Sequence, residues 1–218
     1  MKTFCALLAA CLATAGAASA QDVAPAIPRA DVHFVIGWQN LHHPQPDQNY
    51  DDWMNDIFYG GAGFGWHWND HLKTQVDFGA GTRGEQYRFR QFTVNNAIAT
   101  ESSQAAIRQN SIALSQQYQF FRNQWFHPRV GAGVELARET TTERYQPVFI
   151  FDNAARVSRQ ILPARVEEDE ERFVARPFVE TGFKAYMTRR SFFTADTRLM
   201  FRSGLDEVLF RFGFGVDF

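Results

Sequence analysis

The chain has 218 residues, 45% hydrophobic and 21% charged, with a formal net charge of −2. That length suits one ordinary domain, and a mean hydropathy of −0.34 argues against a bundle of transmembrane helices, each of which needs ~20 mostly apolar residues. A pI near 6.3 gives no sign of a nucleic-acid binder, two cysteines exclude a disulfide scaffold, and the hydrophobic share is too high for a disordered chain.

Residues 1–20 read MKTFCALLAACLATAGAASA. Lys2 is a short positive region, an apolar stretch follows, and Ala18-Ser19-Ala20 is a small-residue cleavage site. This is the pattern of a secretory signal peptide removed after Ala20. Leu8-Ala9-Ala10-Cys11 also resembles a lipobox, but the apolar region before Cys11 is only about seven residues, at the lower limit for such a segment. Both Cys5 and Cys11 fall in the leader, so the mature chain has no thiol. Residues 21–30 carry two prolines and read as an extended lead-in. The domain proper is expected over 31–218.

From Asp31 onward the dominant signal is period two, which puts alternate side chains on opposite faces of a strand. The first predicted strand sets Val32, Phe34, Ile36 and Trp38 against His33, Val35, Gly37 and Gln39. The second sets Phe58, Gly60, Ala62, Phe64, Trp66 and Trp68 against Tyr59, Gly61, Gly63, Gly65 and His67. The third sets Leu72, Thr74, Val76, Phe78 and Ala80 against Lys73, Gln75, Asp77, Gly79 and Gly81. The fourth carries Ile112, Leu114, Tyr118 and Phe120, with Gln116 interrupting the apolar face. In the fifth, Val130, Ala132, Val134 and Leu136 oppose Arg129, Gly131, Gly133 and Glu135. In the sixth, Val179, Thr181, Phe183, Ala185 and Met187 oppose Phe178, Glu180, Gly182, Lys184 and Tyr186. In the seventh, Phe193, Ala195, Thr197, Leu199 and Phe201 oppose Phe192, Thr194, Asp196, Arg198 and Met200. The last is the clearest: Val208, Phe210, Phe212, Phe214, Val216 and Phe218 oppose Leu209, Arg211, Gly213, Gly215 and Asp217.

The connections alternate in length. Those at 39–56, 88–108, 138–172 and 202–206 are the long set; Asn69-Asp70, Arg122–Phe126 and Thr188–Arg190 are tight turns. Long loops at one end and short turns at the other, with apolar stretches of ~9–11 residues, are the layout of an up-and-down antiparallel transmembrane β-barrel of eight strands. Alternation alone does not tell a lipid-facing apolar surface from a ligand-lining one. Glycine decides. Of 15 glycines, eleven lie on the face opposite the large apolar residues, where a narrow barrel needs small side chains. Lys73, Arg129, Lys184, Arg198 and Arg211 share that face with Asp77, Glu135, Glu180, Asp196 and Asp217. Charges enclosed there are tolerable only when paired, so an interior network is expected. Aromatics gather near the ends: Trp66, Trp68, Phe120, Phe121, Trp125, Phe126, Phe192 and Phe218 toward the short turns, Trp38, Trp53, Phe58, Phe89, Phe92 and Phe201 toward the long loops. These read as two girdles.

The C-terminal strand VLFRFGFGVDF, ending on Phe218 after Phe210, Phe212, Phe214 and Val216, resembles the assembly signal of Gram-negative outer-membrane proteins. From Asp31 to Phe218 the chain is similar to the small eight-stranded barrels of the OmpA-transmembrane, OmpX and OmpW type, within the outer membrane protein β-barrel domain family. HPRVGAGVEL (127–136) and RPFVETGFKAYMTRRSFFTADTRLMF (176–201) look like that family's fifth to seventh strands. The resemblance implies an outer-membrane location, insertion by the barrel-assembly machinery after escort by periplasmic chaperones, contact with outer-membrane lipid and lipopolysaccharide, no cofactor and a monomer. It does not imply one activity. The expected role is structural or surface-interacting, with a narrow pore or an OmpW-like route for small hydrophobic molecules as the alternative.

An enzyme is expected less. A lipid A deacylase of this size carries His-x-Ser-Asn, and none of the six histidines stands two residues before a serine. His42 and His43 share a loop with Asp47, Asp51, Asp52 and Asp56, a set that suits divalent ions in type but reads first as an acidic surface loop. His67 and His71 flank a turn and are not expected to act as a helical ligand pair. Glu167, Glu168, Asp169, Glu170 and Glu171 form an acidic run read as solvated charge, softened by Arg165 and Arg172.

Overall fold

A computed structural model describes residues 29–42, 53–94, 97–120, 125–152, 157–168 and 171–218. The leader with its cleavage site, nearly all of the lead-in, His43, Asp47, Asp51, Asp52, Phe121, Asp169 and Glu170 lie outside the described residues.

Among the described residues twelve strands are formed: β1 (Ala30–His42), β2 (Trp53–His67), β3 (Leu72–Gly81), β4 (Gly84–Val94), β5 (Ala97–Gln119), β6 (Phe126–Tyr145), β7 (Val148–Asp152), β8 (Val157–Leu162), β9 (Arg165–Glu168), β10 (Arg172–Tyr186), β11 (Ser191–Phe201) and β12 (Leu205–Asp217). Eight positions around a closed ring take all but three of them. β1 pairs with β2, β2 with β3, β3 and then β4 with β5, β5 with β6, β6 with β10, β10 with β11, β11 with β12, and β12 back with β1, every pair antiparallel. The ring is zipped to its end, where Ala30 N donates to Phe218 O at 3.1 Å and Phe218 N to Ala30 O at 2.9 Å. Among the described residues the ring of pairings closes on itself, which is the condition for strands to cross lipid.

The short turns are built by side chains. Asn69 Oδ1 accepts from the amides of His71 (2.9 Å) and Leu72 (2.8 Å), and Thr188 Oγ1 accepts from Ser191 N at 3.0 Å.

Two connections differ from the sequence expectation. The stretch 88–108 is not a loop: β4 continues the third barrel strand upward and pairs with β5 from Gly84↔Ile107 to Val94↔Ala97. The stretch 138–172 likewise holds the upper part of β6, the β7–β8 hairpin and β9, which adds to β6 over Thr142↔Glu168 to Tyr145↔Arg165. β5 has 23 residues. A tilted strand needs only ~9–11 to cross the hydrocarbon, so more than half of it stands beyond the membrane. There the outward face is no longer required to be apolar, and the alternation that marks a strand in the sequence fades while the ladder continues.

Candidate functional site

The large apolar residues point outward. Phe34, Phe78, Leu114, Leu136 and Phe214 are all more than half exposed on the barrel exterior, while Asp31, Lys73, Asp77, Glu135, Lys184, Arg198 and Arg211 are buried in the lumen. The glycines make room for them. A Cβ on Gly63 would sit 2.1 Å from Asp77 Oδ1, one on Gly65 2.0 Å from Lys73 Cε, and one on Gly79 1.8 Å from the Tyr59 hydroxyl oxygen. One aromatic of the expected girdle belongs here instead. Phe192 is 1% exposed, packs under the Lys184 ammonium at 3.8 Å, and lies in the lumen because it shares the parity of Asp196 and Arg198.

Among the described residues the lumen is filled by three ionic groups and two apolar ones. Near the short turns, Lys73 Nζ donates to Asp31 (2.8 Å) and Gln75, Lys184 Nζ reaches Asp217 at 2.5 Å and Asp31 at 3.4 Å, and Tyr186 donates to Asp217. The next group joins five strands. Arg198 bridges Asp77 and Glu180 (2.8 Å), Arg211 reaches Asp196 (2.8 Å) and Asp77 (3.3 Å), and Arg129 reaches Asp196 at 2.8 Å. Above it, Val35, Tyr59, Ala113, Phe178, Met200 and Leu209 form an apolar layer. A third ionic group centres on Arg176, which meets Asp206 (2.5 Å), Glu207 (3.1 Å), Glu135 (3.5 Å) and Glu139. Gln109 and Gln39 donate to Glu207 at 3.1 and 2.9 Å. Leu41, Met54, Ile57, Ala105 and Ile107 close the outer mouth. Such paired and hydrogen-bonded charges hold the strands in one register; removing either partner leaves an uncompensated ion.

The ten charged residues that share that face in the sequence are all buried in the lumen, in two of these ionic groups and at Glu135 in the third. Asp31, His33, His67, Glu139, Arg176 and Glu207 were missed. Their signal was parity: Arg176 continues Phe178–Glu180 backward by one pair, Glu139 continues Glu135 forward, and Glu207 continues Leu209 backward. His33 Nε2 lies 3.0 Å from Asp77, and His67 Nε2 lies 3.0 Å from Asp31. His71 Nδ1 is 2.9 Å from Gln119 O and its ring stacks on Tyr118, so the two histidines flanking the turn serve different neighbours. Asp31, His67 and Asp217 bring three potential ligand atoms within 4.8 Å of one another. Lys73 and Lys184 lie against the same carboxylates and supply the compensating charge that a metal ion would otherwise bring.

Outside the membrane the ion pairs range from part-buried to exposed. Arg165 links Glu101 and Glu167 at 2.8 Å each and covers the Tyr145 ring at 3.8 Å, Arg88 meets Glu143 at 2.8 Å, and Arg138 meets Glu171. Of the acidic run, Glu167 and Glu171 are thus each partnered by an arginine. Tyr87, Ile98 and Phe173 are 65%, 73% and 79% exposed. A cleft of about 380 Å³ opens at the outer mouth between Leu41, His42, Ile107, Arg172 and Arg202.

A closed eight-stranded barrel, apolar toward lipid and ionic within, defines an outer-membrane β-barrel protein. The chain belongs to the outer membrane protein beta-barrel domain family, whose model matches residues 5–218. Among solved structures it is similar to Neisserial surface protein A, at 14% identity and a TM-score of 0.52, covering 87% of this chain and 97% of that one. It is also similar to the N-terminal β-barrel domain of Pseudomonas aeruginosa OprF (12% identity, TM-score 0.49, 88% and 98% covered) and to OprG of the same organism (14%, 0.49, 88% and 97%). At these identities the likeness concerns the fold. No curated protein sequence matches.

Proposed function

We propose that the protein is an integral outer-membrane barrel of a Gram-negative bacterium with a structural or surface-interacting role, not a catalytic one. The observation that carries this reading is the filled lumen. Arg176, Arg198, Arg211, Lys73 and Lys184 are the largest fully enclosed side chains, and apolar layers lie on both sides of Arg176. Eight strands leave an interior that side chains can fill, and here they do so with ions that cannot be desolvated or displaced cheaply. The part of the chain offered to the surroundings is the sheet of β4, β5, β6 and β9 above the membrane.

In this reading the leader is removed after Ala20, periplasmic chaperones deliver the chain, and the barrel-assembly machinery reads the strand ending in Phe218. Deleting Phe218 is expected to lower the inserted fraction, scored by heat-modifiable gel migration; unchanged insertion would remove that role. The role itself is tested by planar-bilayer recordings on the refolded mature protein. No stable current steps are expected. A steady conductance would favour the narrow-pore alternative instead.

A further inference from the structure

The lipid-facing wall has a polar interruption on β5. From the short-turn end that strand presents Phe120, Tyr118, Gln116, Leu114 and Ile112 outward, and Gln116 is exposed among them. Its carboxamide ends a chain of hydrogen bonds that starts beyond β2 and crosses β3. Trp68 Nε1 donates to Thr74 Oγ1 at 2.8 Å, and Thr74 Oγ1 donates to Gln116 Oε1 at 2.7 Å. The Gln116 Nε2 group, with two hydrogens to donate, has no acceptor among the described residues. At ~3.3 Å per residue and a tilt of about 45°, Gln116 lies about 9 Å deeper in the membrane than Phe120. Acyl chains offer no acceptor at that depth, and an unmet amide there is costly.

A hollow of about 370 Å³ lies beside this amide, lined by Gln116 with Leu72, Tyr118, Val130, Gly131 and Ala132. Register explains it. Gln116 is opposed to the short Ala132, whereas the outward rows on either side pair Tyr118 with Val130 and Leu114 with Val134. The wall thus dips where the amide stands. Across the barrel, β1 and β12 pair Phe34 with Phe214, Ile36 with Phe212 and Trp38 with Phe210, an outward face without a polar group or a short side chain. An unmet amide set in a dip fits a neighbour that brings both bulk and a polar group of its own, which an acyl chain does not.

We propose that two copies of the barrel associate side by side through this wall of β3, β5 and β6, with their Gln116 carboxamides paired across a two-fold axis. A two-fold contact sets a residue near the axis against its own copy. Like charges repel there, whereas a carboxamide pairs with itself. Each Nε2 donates to the other Oε1, which keeps a lone pair after accepting from Thr74. In lipid, apolar faces do not drive association; close packing and hydrogen bonds do. The dip over Ala132 lets the two walls approach closely enough for both. The resemblance to small barrels implies a monomer, and this wall departs from that expectation. The contact lies in the lipid-facing band, so it does not depend on which end of the barrel faces outward.

Residues 21–218 contain no cysteine, so a single introduced thiol reports cleanly. The test uses the refolded mature protein in phosphatidylcholine vesicles, labelled with donor or acceptor dye through S203C on the exposed turn between β11 and β12. Energy transfer is expected to rise with the protein-to-lipid ratio along a monomer–dimer curve. Q116L is expected to lower the association constant roughly tenfold, the factor for one hydrogen bond between membrane segments. A132L fills the hollow and is expected to weaken association with Gln116 intact, whereas T197V on β11 is expected to leave it unchanged. In unlabelled protein a short bismaleimide is expected to join L114C to its copy and not to join F34C. A monomer at every ratio overturns the proposal, whether a phospholipid or nothing fills the hollow. Unchanged association of Q116L, or equal joining of F34C and L114C, overturns it as well. Should Q116L fail to refold, A132L and the cross-linking decide. Heat-modifiable migration is read in every sample. Its loss in the wild type breaks the barrel reading itself, whereas its persistence without association breaks only this proposal.

Discussion

Strands β5 and β6 run through two environments, and their lower and upper halves are built on different rules. From Ser111 to Gln119, β5 puts Ser111, Ala113, Ser115, Gln117 and Gln119 into the lumen and Ile112, Leu114 and Tyr118 toward lipid. From Ile98 to Asn110 the same ladder continues, but the outward positions are Ile98, Thr100, Ser102, Gln104, Ala106, Arg108 and Asn110. The backbone hydrogen bonds are alike in both halves. What differs is the solvent on each side, and with it the consequence of breaking a contact. Below, a lost partner leaves a charge enclosed by protein and hydrocarbon; above, at an exposed pair such as Arg138 and Glu171, water replaces it.

The strongest way to break this contrast is to remove one arginine from each half. Arg198→Leu strands Asp77 and Glu180, and Arg211→Leu withdraws charge from Asp196. Each is expected to cost about 3–5 kcal/mol, the range for opening a buried ion pair. Arg138→Leu in the upper sheet, whose pair with Glu171 has both side chains 49% exposed, is expected to cost less than about 1 kcal/mol. Denaturant midpoints of the refolded protein in vesicles measure both. Equal losses would mean that the lumen is wetter than its packing indicates.

The lower half was legible because lipid and lumen each impose one chemistry on alternate residues. All eight barrel strands and both faces followed from that, and so did the ten charged residues placed inside. The upper half was not. Residues 88–108 and 138–172 read as loops because Arg, Gln, Ser, Thr and Ala occur on both faces there, and a strand whose enclosed and outward faces carry the same residue types has no period to detect. The same blind spot hid Arg176, Glu139 and Glu207, which lie at the border where the outward face stops being apolar. Phe192 failed for the opposite reason. Its type suggested a girdle, but its parity with Asp196 and Arg198 put it inside, and parity decided.

Glycine gives a sharper version of the contrast with a smaller effect. Gly79→Ala puts a methyl 1.8 Å from the Tyr59 hydroxyl oxygen, so the ring must leave its place in the apolar layer. A loss of about 1–3 kcal/mol is expected, as for overpacking a filled interior. In a Tyr59→Ala background the same glycine change is expected to cost much less, since the clash is gone. Additive costs in that double-mutant cycle would show that Gly79 serves strand curvature instead of the ring. Gly204→Ala at the outer turn, where an added Cβ meets nothing within 4 Å, is expected to be close to neutral.

The smallest effect is expected from the largest change. Replacing residues 86–105 with a tight two-residue turn removes the β4–β5 hairpin and its contacts with β6, yet leaves the pairing of β3 with β5 from Leu72↔Tyr118 to Ala80↔Asn110 intact. None of the three ionic groups in the lumen loses a member, because Gln109 lies below the cut. The truncated protein is expected to refold, to keep its heat-modifiable migration, and to hold its denaturant midpoint within about 1 kcal/mol of the parent, as surface changes usually do. A truncation that no longer inserts would mean that the upper sheet helps set the register of the barrel. The two halves would then be one folding unit, and the low cost expected for Arg138→Leu would need another explanation.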